Sequence, residues 1–148
     1  MTWSQENKIL NNQIIEYEEA NTYDDVVGKW KSESGLSYLE IEEDGSVYFS
    51  SYEDDSSDQL YGGSIGKIEG NIIKFTKYYD YRFSASEYMN YMTDVIPKTY
   101  KYIKDVPEEE MEEYTSVDEV NFVNNEIIKL NSIENRENIS IYIKVNSN

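Results

Sequence analysis

The sequence predicts a mainly β protein built as an antiparallel meander, and three observations carry that reading. From Val26 onward, apolar residues recur at every second position, as in Leu39 and Ile41 or Val47 and Phe49. Side chains alternate faces along a strand, so this period marks strands with one buried side. Turn signals at Asp44-Gly45, Gly70-Asn71 and Asn124-Asn125 divide the alternating segments, because such pairs accept the backbone that tight hairpins need. The spacing leaves roughly eight or nine short strands, a number suited to an antiparallel barrel or sandwich.

Residues 1–25 stand apart. Ile9-Leu10 and Ile14-Ile15 recur at helical spacing among Asn, Gln and Glu, which fits a short amphipathic N-terminal helix or a tail. Residues 26–148 read as a single antiparallel domain. Val26 to Lys31 is the first strand and Leu36 to Ile41 the second, with Ser46 to Ser50 returning from the Asp44-Gly45 turn. Leu60 to Glu69 is a glycine-broken strand, and Ile72 to Thr76 returns from Gly70-Asn71, its alternation continuing through Tyr79, Tyr81 and Phe83. Ser84-Ala85-Ser86-Glu87 has capping-box spacing, so a short helix is predicted near 84–95, ending before Pro97. Thr99 to Val106 reads as a strand, and Pro107 to Glu113 as a charged excursion of one helical turn. Val120 to Val123 and Glu126 to Asn131 are strands around Asn124-Asn125. In the last strand Ile139, Ile141, Ile143 and Val145 alternate with Ser140, Tyr142 and Lys144.

Composition narrows the chemistry. The chain has 148 residues and contains neither Cys nor His. Disulfides, thiolate chemistry and the commonest general base and metal ligand near neutral pH are therefore all absent. No conventional enzyme and no cofactor are expected. A net charge of -17 repels nucleic acid and anionic membranes and attracts cations or basic protein surfaces. The charge is uneven: residues 60–104 carry 7 bases and 4 acids, while both flanks are strongly acidic. No apolar run reaches membrane-spanning length and no signal peptide is visible, so membrane insertion is not expected. The chain reads as cytoplasmic, or as exported with its leader removed.

Individual motifs are weak. Gly62-Gly63-Ser64-Ile65-Gly66 matches the Gly-x-Ser-x-Gly of hydrolases, yet no His exists to take the serine proton and the flanks are strand-like. Most paired carboxylates lie on turns or charged runs, where solvation is the expected state. Glu53, Asp54, Asp55 and Asp58 offer several hard oxygens for Ca²⁺ without the glycine and spacing of an EF-hand loop. A Tyr-, Lys- and carboxylate-based enzyme would show a cleft holding a buried carboxylate beside Lys or Tyr. Fifteen tyrosines are more distinctive, and seven lie between Tyr78 and Tyr102 among basic residues. Tyrosine supplies amphipathic contact area at low entropic cost, whether as a binding face or as core with its hydroxyl outward.

Gly28-Lys29-Trp30 resembles the Gly-x-Trp that opens the first strand of lipocalin-like proteins. Leu39 to Val47, with its strand-Asp-Gly-strand pattern, is similar to the hairpin of small bacterial lipocalin-like (calycin-type) domains. Gly70-Asn71-Ile72-Ile73, Phe122 to Leu130 and Tyr142 to Val145 resemble their later turns and closing strands. The likeness covers about residues 26–49, 65–76 and 119–145. It implies a closed antiparallel meander barrel, with Gly28 and Trp30 at one end and Lys144 as the basic cap over the indole. It also implies a non-catalytic binding protein for a small apolar or amphipathic ligand, or for a protein partner. Candidate contacts, in the barrel interior or on the Tyr-rich face, are Tyr38, Phe49, Phe75, Tyr79, Tyr81, Tyr100 and Tyr102. The alternative is an acidic inhibitor or immunity-type protein that covers a basic surface of a nuclease or another nucleic-acid-binding protein.

Overall fold

Eight strands pair in chain order and the last returns to the first, closing an antiparallel barrel. The computed structural model describes residues 26–54, 58–81 and 99–145. The predicted N-terminal helix or tail and the helix near 84–95 lie outside the described residues. The strands are β1 (Gly28–Ser32), β2 (Ser37–Ile41), β3 (Ser46–Ser51), β4 (Gly62–Glu69), β5 (Ile72–Asp80), β6 (Glu112–Asn124), β7 (Ile127–Ser132) and β8 (Ile139–Lys144). Closure leaves neither sheet edge unpaired. Among the described residues, no helix is long and apolar enough to cross a membrane.

The tight turns form where local chemistry favours them. Asp44 Oδ1 accepts the Ser46 N–H at 2.9 Å, and Gly45 takes φ +90°, a conformation that side chains disfavour. Asn124 Oδ1 accepts the Glu126 N–H at 2.8 Å between β6 and β7. These turns and the start of β1 gather at one end of the barrel. Its interior there is apolar, with Trp30, Leu39, Ile41, Val47, Ile73 and Ile128 all fully buried.

Trp30 is held from two sides. Its Nε1–H donates to the Val26 carbonyl at 2.8 Å. Lys144, its direct partner across the β1–β8 ladder, sets Nζ 5.0 Å from the indole centroid and donates to the Val27 carbonyl at 2.9 Å. Gly28 makes this possible: it adopts φ +136°, and a Cβ there would lie 3.1 Å from Lys144 Cε.

Three features differ from the sequence reading. Residues 99–106 are not a strand. Ile103–Asp105 is a 3-10 turn whose Ile103 is buried against Gly63, with its N–H bonded to Ser50 Oγ at 3.2 Å. That segment lies on the outside of the barrel wall, where Leu60, Tyr79, Ile103, Val106 and Met111 form a second core. A second 3-10 turn, Glu108–Glu110, follows. Next, β6 begins at Glu112 rather than Val120, because residues 112–119 alternate with polar side chains facing inward. Last, the isoleucines of β8 face outward: Ile139 and Ile143 are exposed while Tyr142 is buried. A strand shows opposite faces at successive residues, so Lys144 over Trp30 turns Ser140 and Tyr142 inward as well.

Replacing Lys144 by Met keeps the stem but removes the cation over Trp30 and the bond to the Val27 carbonyl. The expected loss is about 1–2 kcal/mol, read as a lower urea midpoint with an unchanged slope. An unchanged midpoint would show that the contact adds no stability.

Candidate functional site

The inner wall changes character toward the end opposite Trp30. Phe49 and Phe75 meet edge to face there, with centroids 6.5 Å apart. The inward positions of β6 here are Tyr114, Ser116, which pairs with Phe75, and Asp118, which pairs with Ile73, and those of β7 and β8 include Ser132, Ser140 and Tyr142. Together with Ser64, Leu130 and Asn138 they enclose a cavity of about 190 Å³. Its phenyl rings supply an apolar floor and its hydroxyls a polar wall.

Asp118 is the charged group of this cavity among the described residues. It is half-buried, and among the described residues its carboxylate accepts no hydrogen bond and makes no ion pair. Burial pushes its pKa up, and among the described residues no cation lines the cavity to pull it back. Ser64 Oγ and the Tyr114 hydroxyl are 2.8 Å apart. Burial raises the Tyr114 pKa, the bond to Ser64 lowers it in part, and the charge of Asp118 raises it again. Burial likewise raises Tyr142 to about 12, against a smaller lowering from Ser37. Both phenols therefore stay protonated at neutral pH and act as hydrogen-bond donors rather than bases. Ser64, the central residue of the Gly-x-Ser-x-Gly match, sits within β4 with a phenol as its partner. The arrangement can hold an apolar body against Phe49 and Phe75 while offering hydroxyls and one carboxylate to a polar end.

A larger hollow of about 610 Å³ lies outside the barrel between β2, β3 and the Ile103–Asp105 turn. Tyr38, Tyr48, Tyr52 and Tyr102 line it with Lys29, Lys101 and Lys104. Its lysines are already paired with carboxylates. Lys104 pairs with Glu40 and Glu42 and lies 5.0 Å from the Tyr48 centroid. The bonds to Glu40 and Glu42 raise the Lys104 pKa despite some burial. Burial alone would raise the pKa of Glu40, but Lys104 lowers it on balance. Lys101 pairs with Asp58 at 3.6 Å, and the Tyr52 hydroxyl donates to the Lys101 carbonyl.

The residues singled out in the sequence divide between these places. Phe49 and Phe75 form the cavity floor. Tyr38 and Tyr102 line the outer hollow, where Tyr38 meets Tyr52 edge to face at 6.1 Å. Tyr79, Tyr81 and Tyr100 belong to the outer core, where the rings of Tyr79 and Tyr100 cross at 5.8 Å. The Tyr100 hydroxyl donates to Glu110, and burial followed by that bond raises its pKa. The split between Phe75 and Tyr79 comes from a bulge. Ile65 and Gly66 of β4 face Lys77 and Phe75 of β5, so Thr76 is an extra residue that reverses the alternation. Gly28, Trp30 and Lys144 meet at the opposite end of the barrel. Of the Ca²⁺ candidates, Asp55 lies outside the described residues and Asp58 pairs with Lys101. Among the described residues, no group of three or more acids is placed to hold a metal.

Sequence reasoning missed Tyr114, Ser116, Asp118, Ser132 and Ser140. The available signal was period two through Tyr114, Ser116, Asp118, Val120 and Phe122, in which serine and aspartate occupy inward positions. In comparison with known proteins, no family model matches the chain, and no curated protein or solved structure matches it either.

Because the folded-state pKa of Asp118 is raised, the native state binds its proton more readily than the unfolded chain. Its penalty on stability is absent below the ordinary Asp value of about 3.9 and develops as pH rises through the folded pKa. Asp118→Asn is therefore expected to raise Tm at neutral pH and to leave it unchanged near pH ~3. A variant less stable than wild type at neutral pH would contradict this.

Proposed function

We propose that the chain is a non-catalytic, lipocalin-like binding protein that takes the end of a small amphipathic molecule into the mouth of its barrel. The observation that carries the reading is the cavity of about 190 Å³, floored by Phe49 and Phe75 and walled by hydroxyls and Asp118. An engineered apolar cavity of about 150 Å³ holds benzene, so this one has room for a single ring or a short branched chain. The closed eight-strand meander and the Gly28, Trp30 and Lys144 cluster support the lipocalin-like assignment. The protonated phenols and the absence of His and Cys support binding over catalysis. The outer hollow is larger, but its lysines already pair with carboxylates.

A second reading rests on the exposed acidic run at Glu108, Glu109, Glu110, Glu112 and Glu113. It is an inhibitor or immunity-type protein whose acidic surface covers a basic partner. Association would then be fast and strongly weakened by salt.

A neutral single-ring probe, 2-phenylethanol, is expected to bind with Kd of about millimolar or tighter. In NMR titration the shifts should concentrate on Phe49, Phe75 and Tyr142. Ser140→Trp fills the cavity and should abolish those shifts while leaving the far-UV spectrum intact. Absence of binding, or binding indifferent to Ser140→Trp, would remove the small-ligand reading.

A further inference from the structure

We propose that the molecule held in the barrel mouth carries a cationic amine, and that Asp118 is the group that recognises it. This deepens the preceding reading and rests on it. Among the described residues, Asp118 is the acidic residue lining the cavity, and no lysine or arginine lines it. Its neighbours on β6, Ser116 and Tyr114, turn neutral oxygens to the same space, and Tyr142 faces it from β8. The carboxylate has neither a hydrogen-bond donor nor an ion-pair partner among the described residues. By contrast, Ser64 and Tyr114 satisfy each other.

A half-buried carboxylate left without a partner favours any ligand that brings a positive hydrogen-bond donor, because the desolvation it already suffers is then offset by the new pair. Neutral donors gain a hydrogen bond from that carboxylate but no ion pair, and anionic ligands are repelled. The rings fit the same assignment, since aromatic faces attract cations and the apolar floor holds the hydrocarbon part. The volume limits the inserted part to an amine-bearing end with a body near the size of one ring. The general acidity of the chain draws cations to every part of its surface. Only a contact at Asp118 ties the preference to one side chain, since its neutralisation changes the net charge by a single unit.

Three probes sharing one ring separate the possibilities: 2-phenylethylamine, 2-phenylethanol and phenylacetate. Isothermal titration or NMR titration on the full chain, at neutral pH and fixed moderate salt, measures each. The amine is expected to bind about tenfold or more tighter than the alcohol, and phenylacetate more weakly than either. Asp118→Asn should bring the amine down to about the level of the alcohol, while the alcohol itself changes far less. Asp118→Glu should keep most of the preference, which shows that charge rather than fold is responsible. An alcohol that binds as tightly as the amine, or an amine preference that survives Asp118→Asn, overturns the inference and leaves the small-ligand reading standing. Failure of all three probes to bind removes both.

Discussion

The placement of Lys144 over Trp30 governs the rest of the molecule. An indole sealed inside the barrel needs a partner for its N–H and a cover for its face. The Val26 carbonyl and the Lys144 side chain supply them. Lys144 reaches that position only by facing inward on β8, opposite Trp30 on β1. The pleat then dictates every other residue of β8. Tyr142 and Ser140 enter the barrel, and the isoleucines between them are left on the outside. One contact at the Trp30 end thus determines which side chains line the opposite end.

The interior that results is divided by the chemistry of its side chains. Around Trp30 the inward positions are aliphatic and tightly buried, and this region carries most of the apolar burial of the barrel. Past Phe49 and Phe75 they become Ser, Tyr and Asp, which pack less favourably and leave space. Asp118 marks the boundary, following Tyr114 and Ser116 on the β6 face that Val120 and Phe122 continue. A second core on the outside of β3, β4 and β5 braces the wall next to the mouth. There Ile103 seats over Gly63, where a Cβ would come within 2.8 Å of its Cδ1.

How much of this was legible in the sequence depended on whether the cause was local. Asp44-Gly45 and Asn124-Asn125 announce their turns because the side chains and backbone of those residues form them. The alternation of β8 was equally clear, but its facing was not, since that depends on Trp30, more than a hundred residues away. Residues 99–106 imitate a strand through spaced apolar side chains, while their actual fold follows from the burial of Ile103 in a second core. Asp118 escaped notice because an acid beside Glu119 reads as surface. Only the register of β6 against Ile73 and Ser132 turns it inward. The cavity floor, by contrast, was visible in Phe49 and Phe75, whose hydrophobicity and strand phase agree.

The bulge at Thr76 gives β5 two allegiances. Ile73 and Phe75 belong to the inner core and Tyr79 to the outer one, so a single strand spans both layers by changing phase midway. Such a strand tolerates exchange of side chains far better than a change in length. One residue added after Lys77 would swing Tyr78 to the outside and carry Tyr79 into the barrel, emptying one core as it overfilled the other. The molecule's vulnerability thus lies in the count of residues between two aromatic rings.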